Sequence, residues 1–165
     1  EYFKSEEKSQ ETFQGGWLHT GDKGDIDQDG YITITGRLKD QFKSGKGKYV
    51  VPVPIESRFY ESQCIEQVCV MGAGLPQPVA TVVINKERRH QTTQQELEQS
   101  LEDSLVLVNA SLEAHEKIDR IFVSSNEWSV ENNLLTPTLK IKRNELERKF
   151  SKDIEAKSDN VVVWL

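Results

Sequence analysis

Gly36-Arg37-Leu38-Lys39-Asp40 decides how the chain is divided, because a different kind of sequence stands on either side of it. Before it runs Tyr31-Ile32-Thr33-Ile34-Thr35, a β pattern with Ile32 and Ile34 on one face and threonines on the other. After it comes Gln41-Phe42-Lys43-Ser44-Gly45-Lys46-Gly47-Lys48, cationic and glycine-rich, and then an apolar run from Tyr49 to Ile55. A strand that ends in Arg, Lys and Asp and restarts after two glycines makes a natural pivot between two bodies. Charged strand ends before glycine turns also occur within single sheets, so this pattern alone admits both readings.

Three further stretches narrow the choice. Upstream stand Gly16-Trp17-Leu18-His19-Thr20-Gly21-Asp22-Lys23-Gly24 and Asp29-Gly30-Tyr31; far downstream stands Leu135-Thr136-Pro137-Thr138-Leu139-Lys140-Ile141-Lys142-Arg143. In this order, with the pivot between them, they resemble the last part of an acyl-adenylate-forming ligase. That superfamily includes acyl-CoA synthetases, peptide-synthetase adenylation domains and firefly luciferase. The run from Gly47 to Glu56 and the Leu-Thr-Pro-Thr-Leu-Lys wording point to the long-chain fatty acyl-CoA branch.

The resemblance implies an α+β fold: a small C-terminal lobe with a β-hairpin and a short, mainly antiparallel sheet packed by two or three helices. It divides the chain into residues 1–39, a terminal strip of a large N-terminal lobe, and residues 40–165, the C-terminal lobe itself. The missing N-terminal lobe of the same polypeptide is then the principal partner, and the chain is expected to begin inside a larger protein. Fatty acid, ATP and CoA are the expected substrates, with Mg2+ required by the intact enzyme and nothing held tightly by this chain alone.

Composition sets outer bounds. With 165 residues, 36% hydrophobic and 29% charged, the chain can bury one or two cores. A net charge of −6 argues against a nucleic-acid partner, because no broad cationic surface exists to displace counterions. No apolar run is long enough to span a bilayer, and no leader opens the sequence. A cytoplasmic protein is expected, with peripheral membrane association left open. Cys64 and Cys69 are expected as free thiols, and neither has the companions of a zinc site.

Local patterns predict the elements. A short helix is expected over 6–12, and a hairpin over 17–36 with a two-residue Asp29-Gly30 turn. Asp25-Ile26-Asp27-Gln28-Asp29-Gly30 also matches the opening of an EF-hand loop, but Gly36 stands where the bidentate glutamate belongs. Pro52 and Pro54 predict an extended stretch over 50–54, followed by a helix over 55–62. Strands are expected over 65–71, 79–84 and 121–123, with the first two forming an antiparallel pair. Leu97, Leu101, Leu105 and Val108 form one stripe of a helix over 92–112, capped by Thr92 or Thr93. A loop is expected over 134–141 and a last helix over 144–157. The apolar end, Val161 to Leu165, either adds an edge strand or marks a partner surface.

The resemblance also assigns roles. Asp22 matches the ribose anchor, a carboxylate suited to accept from two hydroxyls. Arg37 matches the arginine facing the nucleotide, and without ligand it is expected to pair with a nearby acid, Asp22 among them. Asp40 matches the hinge about which the small lobe swings between half-reactions. Lys140 matches the adenylation lysine, with Lys142 the second choice. Leu139 stands where many relatives carry glycine, which predicts a stiffer loop. Gly45, Lys46, Gly47 and Lys48 are either a CoA-proximal loop or an ordinary basic hairpin turn. His115 is expected to be a packing or surface residue, and no metal site is assigned.

The family's phosphate-gripping loop and acyl pocket match nothing in this chain, so the isolated chain is expected not to adenylate fatty acids. The competing reading is a non-catalytic calcium-binding or protein-interaction module built on Asp25 to Gly30 and the apolar tail. An aryl- or amino-acid-activating relative also stays open, because acyl specificity is not written in this lobe.

Overall fold

The computed structural model describes residues 2–156 and 159–165, and it falls into two compact units, one ending at Asp40 and one starting at Gln41. The first unit contains α1 (Glu6–Thr12), the two-residue strands β1 (Phe13–Gln14) and β2 (Trp17–Leu18), and the hairpin β3 (Asp22–Ile26) with β4 (Ile32–Arg37). A 3₁₀ turn, Leu38–Asp40, closes it. Both Gly15 and Gly16 have positive φ, as a two-residue hairpin with primed turn geometry requires.

The β3–β4 turn is longer than the sequence pattern predicts. Ile26 pairs with Ile32, which leaves five residues in the loop rather than a tight Asp-Gly pair. Asp27 holds that loop by accepting from the amides of Asp29 and Tyr31 at 3.0 and 2.9 Å. A side-chain acceptor of this kind replaces the backbone turn that Asp-Gly alone would make. The calcium reading finds no support here, since no three His, Cys, Asp or Glu side chains cluster among the described residues.

Among the described residues of this first unit only Gly36 is buried. Trp17, Ile26, Tyr31, Ile32 and Ile34 are each more than 60% exposed. The strip has β-structure but no core.

The second unit does have one. It runs β5 (Phe42–Lys43), β6 (Tyr49–Val50), α2 (Pro52–Phe59), β7 (Ile65–Met71), β8 (Val79–Ile84), α3 (Lys86–Gln91), α4 (Gln94–Ala110), β9 (Ile121–Val123), α5 (Arg143–Glu155) and β10 (Val162–Trp164). Four strands form the main sheet in the order β10-β9-β8-β7. Its alternation is strict enough to build two cores. Val68, Val70, Ala80, Val82, Ile121 and Val123 join Ile55 and Phe59 of α2 and the Leu97, Leu101, Leu105 and Val108 stripe of α4. Cys69, Met71, Val79, Val83 and Phe122 face the other way, toward Leu146 and Phe150 of α5 and the buried Trp128, Leu134 and Leu135. A sheet covered on both faces explains why β8 is buried at every position, with Thr81 its one polar residue.

The α+β class, the hairpin and the packing helices agree with expectation, and the sheet adds a detail. Only β7–β8 is antiparallel; β8–β9 and β9–β10 are parallel. The connections explain the difference, since α3 and α4 lie between β8 and β9, and α5 lies between β9 and β10. A strand that returns through a helix arrives in the same direction it left. The apolar tail is the edge strand β10.

The stretch over 50–54 is a correction. It is extended only at Val50 and Val51, because α2 begins at Pro52 and ends at Phe59. Prolines in a first helical turn remove only amides that have no intrahelical acceptor, so Pro52 and Pro54 start this helix instead of blocking it. The six-residue α3 was not foreseen; Asn85 caps it by accepting from the amides of Glu87 and Arg88. Thr93 and Glu96 form a full capping box on α4. The last helix starts one residue earlier than expected, and the end predicted at 157 lies outside the described residues.

Candidate functional site

In the first unit the β3–β4 register sets Asp22 opposite Arg37. Arg37 Nε lies 3.1 Å from Asp22 Oδ1, with the side chains 59% and 25% exposed. Gly21, at φ +76, turns the chain into β3, and its carbonyl accepts from the Leu38 amide at 2.8 Å. Thr20 Oγ1 accepts from the Asp22 amide at 3.1 Å. The pair is thus held by backbone, not by burial. An exposed ion pair of this sort is worth about 0–1 kcal/mol, so either partner can be exchanged for a ligand at little cost. Asp40 ends the 3₁₀ turn, at the residue where the two units part.

In the second unit, residues 134–142 make a tight loop. Leu135 and Ile141 pair as an isolated bridge, and the Lys142 amide donates to the Leu134 carbonyl at 2.9 Å. Thr136 closes the tip: its amide donates to the Lys140 carbonyl at 2.8 Å, and its Oγ1 accepts from the Lys140 amide at 3.0 Å. Leu139 sits at the turn with φ +60 and a 71% exposed side chain. That left-handed backbone is the conformation a glycine adopts freely.

The two candidate lysines differ in this loop. Lys142 Nζ donates to Asn133 Oδ1 at 2.5 Å. Lys140 is exposed, and its Nζ has no hydrogen bond or ion pair among the described residues. One ammonium is tied to the loop's base; the other stands free at its tip.

The segment 43–48 is the hairpin turn between β5 and β6. Gly45 donates to the Leu75 carbonyl at 2.7 Å, and Gly74 donates to the Lys43 carbonyl at 3.0 Å. A Cβ at Gly45 would stand 2.6 Å from the Gly74 carbonyl oxygen. Close packing of two loops therefore accounts for this glycine by itself. Gly47 takes φ +77, and Lys46 Nζ donates to Gln77 Oε1 at 3.0 Å. His115 Nδ1 lies 3.5 Å from Glu113 in its own loop, a local packing contact.

One group escaped the sequence reading. Arg143 Nη1 lies 2.7 Å from Glu56 Oε1, with both side chains at most 16% exposed. The same nitrogen lies 3.0 Å from Cys69 Sγ and donates to the Val70 carbonyl. Beside this pair the Tyr60 phenol is pushed above its ordinary value, first by burial and further by the Glu56 charge and the Cys69 thiol, against a hydrogen bond with the Val68 backbone. The available signal was an arginine at the first position of a helix, the wrong end for a cation.

A mixed sheet with helices on both faces is the fold of the C-terminal lobe of AMP-binding enzymes. Residues 39–161 match the AMP-binding enzyme C-terminal domain, and the chain belongs to that family. It is 34% identical over 172 residues to long-chain-fatty-acid–CoA ligase 6 of Mus musculus, an alignment covering 93% of this chain and 25% of the mouse protein. The adenylation domain of a carboxylate reductase from Mycobacterium chelonae superposes with a TM-score of 0.78 at 24% identity, over 93% of this chain and 25% of that one. The anthranilate CoA ligase AuaEII, solved with anthranoyl-AMP, superposes with a TM-score of 0.65 at 30% identity, over 87% of this chain and 26% of that one. The chain spans about a quarter of the length of the curated relatives it matches. No helix among the described residues is long and apolar enough to cross a membrane.

Proposed function

We propose that this chain is the C-terminal part of an ATP-dependent long-chain fatty acid–CoA ligase, and that Lys140 is its adenylation lysine. The observation that carries the reading is the free Lys140 ammonium at the tip of a closed loop, beside a Lys142 that Asn133 holds. In the first half-reaction a carboxylate oxygen attacks the α-phosphorus of ATP and the bond to pyrophosphate breaks. In the second, the sulfur of CoA attacks the acyl carbon and AMP leaves. Charge gathers on the carboxylate and α-phosphate oxygens in the first step, where a preplaced cation lowers the barrier.

Asp22 would accept from the ribose hydroxyls, and Arg37 would turn from Asp22 to nucleotide oxygens. Asp40 would be the hinge, and residues 40–165 the moving lobe. The Gly45 to Lys48 turn is assigned a CoA-proximal role on its glycines and lysines alone. No residue of this chain is assigned to Mg2+; among the described residues no three His, Cys, Asp or Glu side chains cluster.

The coreless strip with its exposed Trp17, Ile26, Tyr31, Ile32 and Ile34 calls for a covering body, and the N-terminal lobe of the parent would supply it. Without that lobe the chain should release no pyrophosphate from ATP and palmitate. Cys64 and Cys69, not bridged by a disulfide, suit a reducing compartment, and we place the parent in the cytoplasm, able to associate peripherally with a membrane.

The test is the full-length enzyme with Lys140→Ala and Lys142→Ala. Lys140→Ala should slow acyl-adenylate formation by about 100- to 1000-fold, with thioester formation from supplied acyl-adenylate retained. Lys142→Ala should keep both. The reverse pattern would move the assignment to Lys142.

A further inference from the structure

Arg143 stands where its charge is least welcome. It is the first residue of α5, at the positive end of the helix dipole, and the N-cap Lys142 offers no side-chain acceptor to the free amides there. Two successive cations at an uncapped helix start need an anion from elsewhere. Glu56 of α2 is that anion, and its Oε1 also accepts from the Val70 amide at 2.7 Å. Val70 is thereby bracketed, its amide bound to Glu56 and its carbonyl to Arg143. One buried pair joins α2, β7 and α5.

Stability alone does not explain such a pair. Apolar side chains of similar volume usually serve as well, and where a buried ion pair has a use it lies in fixing a geometry. The geometry fixed here is the start of α5, three residues beyond Lys140. The other end of the loop is anchored by Leu134 and Leu135, both buried in the core between the sheet and α5. Between these anchors Lys140 is the one cation whose side chain has no hydrogen bond or ion pair among the described residues.

We propose that Glu56 and Arg143 are positioning residues that aim Lys140. The pair then matters for adenylation and not for thioester formation. This rests on the reading of Lys140 as the adenylation lysine.

The test uses the full-length enzyme carrying Glu56→Gln together with Arg143→Met, which leaves no buried charge unpaired. Lys140→Ala is run in parallel, and Arg143→Lys keeps the charge but not the forked contacts. In the double variant, kcat for acyl-adenylate formation should fall by about 100-fold, the scale expected of a catalytic group misplaced by about 1 Å. The KM for ATP and the thioester half-reaction should stay unchanged, and Arg143→Lys should recover part of the loss. Amide hydrogen exchange should quicken at Leu139 and Lys140 while α4 keeps its protection. If both half-reactions fall together with a general loss of protection, or if nothing changes, the positioning role is overturned while Lys140→Ala still abolishes adenylation. If Lys140→Ala leaves adenylation intact, the underlying reading fails and the positioning role falls with it.

Discussion

Leu139 holds a backbone conformation that costs an ordinary L-residue about 1–2 kcal/mol, and it holds it with a mostly exposed side chain. Leu139→Gly should therefore raise thermal stability by up to about 1 kcal/mol, after allowing for the freer unfolded chain. Leu139→Val should lower it, because a β-branched residue tolerates positive φ least. Gly45 presents the opposite case. Its Cβ position lies 2.6 Å from a backbone carbonyl oxygen that no rotamer change can move, so Gly45→Ala should cost about 1–3 kcal/mol in denaturant unfolding.

The motif wording showed where these residues stand but not what each does. Leucine in place of glycine predicted a stiffer loop, and the structure shows the glycine-like turn kept. Asp22 and Arg37 lie 15 positions apart in one hairpin, and their pairing followed from the hairpin itself. Glu56 and Arg143 are 87 positions apart, and no local pattern links them.

Legibility among the elements followed the same division. The α4 stripe was read correctly because four leucine and valine positions repeat at helical spacing and Thr93 precedes them. α2 was misread because proline's effect depends on its place in the helix, and that place was unknown. The parallel pairings of β9 and β10 depend on helical crossovers whose packing lies outside any single segment.

Thr93 carries a testable consequence. Thr93→Ala should destabilise the unit by about 1 kcal/mol, the usual worth of an N-cap. The Glu96 carboxyl is held below its ordinary range, first by the Thr93 hydroxyl and then by the Thr93 amide. A depressed carboxylate contributes above its unfolded value and stops contributing as pH falls through its folded one. Acidification below about pH 4.5 should thus expose the first α4 amides to exchange, and Thr93→Ala should weaken that pH dependence without abolishing it, because the backbone amide at position 93 still donates to Glu96.

At the scale of the molecule, one unit owns two packed cores and the other owns none. Charge and glycine patterning at 36–48 suggests a boundary between residues 39 and 40, and the two compact units of the structure part between Asp40 and Gln41. The absence of a core in residues 2–40 was harder to see, since no local pattern tells that Ile32, Ile34 and Trp17 stay exposed.

The proposal that Asp40 is a hinge makes the sharpest demand on the whole enzyme. Proline fixes φ near −65°, within the range of the 3₁₀ turn that Asp40 occupies, so under this proposal Asp40→Pro would restrict the pivot to one arrangement. The direct measurement is acyl-adenylate formation and thioester formation, each assayed separately, in full-length enzyme carrying Asp40→Pro. A pivoting lobe predicts that one rate stays near wild type while the other drops by at least about 10-fold, as expected when a reacting group cannot reach its place. Two rates that both persist, or that fall in equal measure with the fold intact, would contradict it.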